Sequence, residues 1–279
     1  MEDTGTSVCY RHPDRATRLA CSNCGRPICA DCSRDSAVGQ KCPECSKPEG
    51  RHRVVTARQA FGGPSFQTTP VTFTVIGISV VVFLLNASMS PPELNRFRVD
   101  WGLIGLAVEQ GEWWRVVTAA FLHGGITHLL FNMYGVYLLG PRLERETGSL
   151  GFALLYLACA VGGSYVSFRF GDPRALSVGA SGALFGIFGA WLFVAFRLRN
   201  TAGGRALLNQ FLVLLAINAA LPLIIEGIDW RAHLGGLATG MLVAAAWSRF
   251  AAGRPDARRN RALIAAVVLA AGMLLVLLV

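Results

Sequence analysis

Ser181 heads an apolar run in the stretch GASGALFGIFG, residues 179–189, where a hydroxyl has few structural reasons to sit. Two other apolar runs carry polar groups that chemistry can use: His128 and Asn132 in HGGITHLLFN, residues 123–132, and His233 in RAHLGGLATG, residues 231–240. A serine hydroxyl is a weak nucleophile until a neighbouring base takes its proton, which a neutral histidine within hydrogen-bond reach can do. Ser181 and His233 are therefore a candidate dyad. No aspartate or glutamate lies inside these runs to orient the imidazole, so a triad is not expected and packing must do it. Phe185, one helical turn past Ser181, is the candidate stacking partner. His128, Asn132 and the Ser181 backbone N–H are candidate oxyanion donors, each such donor typically worth ~10²–10³ in rate.

The competing interpretation is interhelical glue, since serine and asparagine inside membrane helices commonly bond a neighbouring helix. The glycines weigh against it. Gly182, Gly186 and Gly189 follow Ser181, and Gly236 and Gly240 follow His233, giving small-xxx-small faces on which two backbones can approach closely. Close approach would bring His233 to Ser181.

The elements that must position these residues are membrane helices. The chain has 279 residues, 53% hydrophobic and only 15% charged, a composition foreign to most soluble domains. The net charge of +9 does not point to nucleic acid, because the arginines cluster at the ends of apolar runs rather than on one face. Seven spans are expected, over residues 71–85, 126–139, 150–168, 180–196, 206–225, 232–247 and 262–279. Several fall short of the ~20 residues a crossing needs, so their ends are expected to extend. Arginines crowd alternate connections: Arg51, Arg53, Arg58, Arg142, Arg145, Arg197, Arg199, Arg205, Arg249, Arg254, Arg258, Arg259 and Arg261, against Arg96, Arg98, Arg115, Arg169, Arg174 and Arg231. The positive-inside rule then puts the N-terminus in the cytoplasm and the C-terminus outside. Spans two, four and six run inward, so His128, Ser181 and His233 reach similar depth near the external face, with Asn132 one turn deeper. Water must reach such a site, so a hydrophilic cavity open to the exterior is expected. Residues 88–125 form a long external stretch in which Trp101, Trp113 and Trp114, with Glu112 and Arg115, read either as an interfacial belt or as a more specific structural unit.

Seven of the eight cysteines precede residue 46, and residues 1–50 hold no apolar signal-like run. Cys9-x-x-His12, Cys21-x-x-Cys24, Cys29-x-x-Cys32 and Cys42-x-x-Cys45 supply eight ligands, the number that two closed tetrahedral zinc sites require. So short a segment cannot bury a sufficient core, and metal would supply much of its folding free energy. Disulfides are the alternative, but a cytoplasmic position keeps thiols reduced. The four-pair order resembles small zinc modules of the B-box and RING kind, which implies that alternate pairs share an ion: Cys9, His12, Cys29 and Cys32 for one, Cys21, Cys24, Cys42 and Cys45 for the other. Sequential pairing fits the spacing equally well. Every ligand position is filled, so catalysis by these metals is not expected, and the usual role of such modules is partner binding. The expected organisation is a zinc module over 1–48, a flexible linker over 49–70 and a membrane domain over 71–279.

GEWWR at 111–115, HGGITHLLFN, GASG at 179–182 and AHLGGLATG at 232–240 together resemble the rhomboid intramembrane serine proteases, in order and spacing. The resemblance covers roughly residues 71–279. It implies an all-α polytopic membrane bundle of six core helices plus one C-terminal helix, Ser181 as nucleophile, His233 as base, His128 and Asn132 as oxyanion donors, and Gly179, Gly182, Phe185 and Gly236 shaping the site. It also implies a structural role for His123, and a substrate that is itself a transmembrane helix with a weakened segment at the cleavage point. The expected setting is a cell membrane, with the lipid bilayer and transmembrane substrates as partners, a cytosolic protein partner for the zinc module, and no nucleic acid. The alternative is a rhomboid-like protein acting mainly as a binding or regulatory factor through its zinc module. A transporter is disfavoured, since neither inverted repeats nor paired broken helices are visible.

Overall fold

The computed structural model describes residues 7–36, 39–46 and 67–279. It divides the chain into two compact units, Met1–Gly63 and Pro64–Val279. The linker expected over 49–70 lies, up to residue 66, outside the described residues, as do Arg51, Arg53 and Arg58.

The first unit is built from turns. Strand β1 (Ser7–Cys9) pairs antiparallel with β2 (His12–Thr17), and β3 (Arg34–Asp35) with β4 (Gln40–Lys41), which leads into a single turn of helix, α1 (Pro43–Ser46). Its interior consists of cysteines around Ile28, the one fully buried aliphatic side chain among the described residues of this unit. Such an interior cannot hold a fold by apolar burial alone.

The second unit is helical: α2 (Pro70–Ala87), α3 (Pro91–Trp101), α4 (Gly105–Glu109), α5 (Arg115–Thr118), α6 (Ile126–Thr147), α7 (Ser149–Phe170), α8 (Ser181–Arg197), α9 (Ala202–Ala220), α10 (Trp230–Phe250) and α11 (Ala257–Leu277). The expected spans overlap the seven long helices, but span 206–225 runs past the end of α9 at Ala220, and α8 and α10 are not among the helices long and apolar enough to cross. By length and composition α2, α7, α11 and the run Ala202–Leu223 can cross a membrane, and α6 joins them when taken with Arg115–Phe121, bent from it by 97°. The protein is a multi-pass membrane protein.

Local chemistry sets the helix ends. Proline opens α2 and α3 at a position where its missing N–H is not needed, and Glu93 accepts from the Ser90 N–H and hydroxyl ahead of α3. Gly148, at φ 84°, makes the turn between α6 and α7. Thr201 and Asp229 cap α9 and α10 by accepting from Gly204 and Ala232.

Helix α6 runs eight residues past Leu139, the expected end of the span, and carries Pro141 in its interior. Buried Glu144 explains the continuation. Its carboxylate accepts from the Val71 and Thr72 backbone N–H groups, the Thr72 hydroxyl and the Ser149 hydroxyl, so one group caps α2 and joins it to the α6–α7 corner. Satisfied charge of this kind offsets the one backbone bond that proline removes.

The core lies among α7, α8 and α10, with Phe152, Leu155, Ile187, Trp191, Val243 and Trp247 buried. Glycine sets the spacing there. A Cβ on Gly236 would collide with the Gly182 carbonyl, one on Gly240 with the Gly186 carbonyl, and one on Gly189 with that of Leu237. A Cβ on Gly163 of α7 would come within 2.8 Å of the Ala232 carbonyl. Helix α9 is the opposite case, since only Gly204 and Phe211 of its residues are buried.

Candidate active site and metal centres

The N-terminal ends of three helices converge. Ser181 is the first residue of α8, His128 lies in the first turn of α6, and His233 in the first turn of α10. Positive helix ends and unused backbone N–H groups therefore gather at one place.

Phe185 lies flat on the His233 ring, with centroids 4.2 Å apart and planes 7° apart. The imidazole is thus held by packing on α8, the helix that carries Ser181. No hydrogen bond joins Ser181 to His233 among the described residues.

Gly179 brings the third helix in. Its φ of +138° suits glycine alone, and a Cβ there would sit 2.7 Å from both Cε1 and Nε2 of His128 and 3.6 Å from Ser181 Oγ. The His128 ring edge and the serine hydroxyl therefore flank the same point. The Gly124 N–H reaches His128 Nδ1 at 3.5 Å, Asn132 Nδ2 donates to the His128 carbonyl at 2.9 Å, and Asn132 Oδ1 is buried without a partner. His123, buried, stands edge-to-face on His128 at 5.2 Å, with neither ring nitrogen bonded.

Two cavities adjoin the pair. One of about 20 Å³ lies beside Ser181 against Ser164, Ser177 and Ala232, room for about one water. The other, about 430 Å³, lies beside His233 between α9 and α10 and is lined mainly by apolar groups such as Leu215, Trp230, Leu234 and Leu237. The roomy cavity is thus apolar, and the polar one is small, where a hydrophilic cavity open to the exterior was expected.

Sequence reasoning singled out Arg115 and Glu112 without assigning them a role, and missed Asp229. Arg115 is buried and donates to the Val99 and Gly102 carbonyls while pairing with Glu112, locking α3 to α5. Its place in GEWWR beside Glu112 was the available signal. Asp229 accepts from Ser167, Ser177 and the Ala232 N–H; an acidic residue just before an apolar helix was the signal there.

The rhomboid domain profile matches residues 110–250, about half the chain and all four candidate site residues. The chain belongs to the rhomboid family. Rhomboid protease GluP of Bacillus subtilis is 35% identical over 204 residues, 72% of this chain but 38% of that protein. The YdcA protein of the same bacterium is 39% identical over 174 residues, 62% of this chain and 86% of its own. RHOMBOID-like protein 6, mitochondrial, of Arabidopsis thaliana is 40% identical over 148 residues, 51% of this rhomboid and 45% of its own length. The chain therefore spans less than half of GluP and of the Arabidopsis protein.

The first unit of this rhomboid, which precedes the matched region, holds two ligand clusters: Cys9, His12, Cys29 and Cys32, and Cys21, Cys24, Cys42 and Cys45. Of the two pairings the spacing permits, the fold adopts the alternating one. Sulfur to His12 Nδ1 distances are 3.8 Å from Cys9 and 3.4 Å from Cys29 and Cys32, and Cys24 to Cys42 is 3.9 Å. A tetrahedron with metal–sulfur bonds of ~2.3 Å has edges of ~3.8 Å, so the donor sets fit a bound cation. The Cys42 N–H donates to Cys21 Sγ at 3.3 Å, and the Arg26 guanidinium to Cys24 Sγ at 3.3 Å while covering Tyr10 at 4.4 Å. These contacts stabilise thiolates.

Proposed function

We propose that this rhomboid is an intramembrane serine endopeptidase that cleaves transmembrane segments of other membrane proteins through a Ser181–His233 dyad. The observation that carries the proposal is the stacking of His233 on Phe185, one turn below Ser181, across helices spaced by glycine. His233 takes the Ser181 proton as Oγ attacks the scissile carbonyl carbon, giving a tetrahedral oxyanion. As it collapses, the C–N bond breaks and His233 returns the proton to the departing amine. Water then attacks the acyl-enzyme with His233 again as base, releasing the new carboxyl terminus and restoring Ser181. With His128 Nδ1 accepting from Gly124, its proton resides on Nε2, the atom beside Gly179, from which it can donate to the oxyanion along with the Ser181 N–H.

The substrate is a membrane helix that enters from the bilayer, locally unwound because its own hydrogen bonds would otherwise cover the scissile carbonyl. The arginine distribution supports an orientation with the first unit in the cytoplasm, the C-terminus outside and the dyad open to the external face. In a reducing compartment the two clusters would hold zinc, four thiolates in one and three with His12 in the other, as structural ions. They would organise the module and take no part in the hydrolysis.

The test is cleavage of a reporter transmembrane protein by the purified full chain in liposomes. Wild type is expected to cleave, and Ser181→Ala and His233→Ala to lose activity while folded. Cleavage surviving in Ser181→Ala refutes the mechanism, and an inert wild type would favour a binding role for this rhomboid.

A further inference from the structure

We infer that Asp229 is a positioning residue, tying the segment ahead of Ser181 to the helix that carries His233; this rests on the dyad proposed above. Asp229 lies one helical turn before His233, whose N–H bonds its carbonyl at 3.3 Å. Carboxylate Oδ1 accepts from the Ala232 N–H at 3.0 Å, the ordinary work of a helix cap. Oδ2 does something a cap does not require. It accepts from the Ser177 hydroxyl at 2.7 Å and the Ser167 hydroxyl at 2.5 Å, groups from two other elements.

Ser177 precedes Ser181 by four residues, and the backbone between them is held elsewhere too. Ser177 exchanges two backbone bonds of 2.9 Å with Leu103, and the Gly179 N–H donates to the Ala119 carbonyl at 2.9 Å. The segment therefore behaves as a rigid arm. One end presents Ser181, and the other is fastened through Ser177 to Asp229, from which a single helical turn leads to His233. No basic side chain pairs with Asp229 within ion-pair distance among the described residues, so its charge is balanced by three hydrogen-bond donors and the positive end of α10. The carboxylate that a triad would place on the imidazole acts here on the backbones that carry the imidazole and the nucleophile.

The experiment uses the full chain in liposomes and compares Asp229→Ala, Ser177→Ala and Ser177→Thr, with Ser181→Ala and His233→Ala as controls. It reads kcat and KM on the reporter substrate and the rate at which a fluorophosphonate modifies Ser181, all per folded enzyme. Misplacing a reacting pair slows chemistry more than binding, so Asp229→Ala and Ser177→Ala should lower kcat and labelling by ~10–100-fold with KM little changed. Ser177→Thr keeps the hydroxyl and should restore most of the rate. Ser177→Ala breaks one arm only, which keeps the test sound where Asp229→Ala folds poorly. Wild-type kcat and labelling in Ser177→Ala and Asp229→Ala, with both controls inactive, overturn the positioning role and leave the dyad standing. So does a Ser177→Thr enzyme as impaired as Ser177→Ala. Activity in the Ser181→Ala control removes the dyad itself, and the positioning role with it.

Discussion

His128 and Asn132 sit one turn apart on α6, yet their donors are not equally free. Asn132 already spends one amide hydrogen on the His128 carbonyl, whereas His128 Nε2 borders the space beside Gly179 that also meets Ser181. His128→Ala should therefore lower kcat by ~10²-fold, and Asn132→Ala by less, measured on folded enzyme with the reporter substrate. The ligand cysteines give a second expectation at this scale. Against burial, the Arg11 and Cys29 backbones and the His12 ring hold Cys9 down to about 6; the Cys42 N–H, foremost, does the same for Cys21. Burial, with Cys29 and Cys9, pushes Cys32 up to about 11, so the cluster accommodates full ionisation only around a cation. A depressed thiol stabilises the fold above its ordinary value of 9.0 and stops doing so as pH falls through about 6. Metal release followed with an indicator dye should therefore increase as pH falls, because protons compete with the cation for the ligand thiolates. Much at this scale was legible, because serine, histidine and paired cysteines are rare where they stand. Asp229 was not: it lies between spans in a polar stretch, and its partners, Ser167 and Ser177, are distant in sequence.

At the scale of elements the backbone contacts decide. Gly236 meets the Gly182 carbonyl so closely that an added Cβ must move α10 away from α8. Gly236→Ala should destabilise the protein by ~1–3 kcal/mol in a denaturant titration in detergent, with kcat falling alongside because His233 moves too. Leu234→Ala, on the same helix but half exposed, is the control and should change stability little. Seven long helices could be read from apolar runs, and the close face of α8 and α10 from glycine spacing. The continuation of α6 past Pro141 could not, since it depends on Glu144 finding the start of α2, a tertiary event with no local signature. The order inside residues 88–125 was equally hidden. Its short helices are held by Arg115 bonding carbonyls of a neighbouring turn, and the tryptophans that drew notice, Trp113 and Trp114, remain partly exposed.

The whole molecule joins two units with separate chemistry. All residues of the proposed site, and the rhomboid match, lie in the second. Deleting residues 1–63 should leave kcat on the reporter substrate unchanged, and an inactive but folded truncation would show the first unit to be part of the catalytic machinery. Metal analysis of the full chain should find about two zinc ions, one for each four-ligand cluster, and replacing Cys21 and Cys42 together should remove one of them.

The glycine contacts have a further consequence, for mutational drift. Every amino-acid replacement of a glycine adds at least one carbon, and at Gly186, Gly189, Gly235, Gly236 and Gly240 that carbon meets backbone or a buried side chain. These positions have no neutral neighbours in sequence space, so the helices bearing Ser181 and His233 cannot wander. Helix α9, with two buried residues along its length and one wall of the apolar cavity beside His233, is far less constrained. Inherited change in what the cavity accepts is thereby channelled into a single helix, while the chemistry next to it stays fixed.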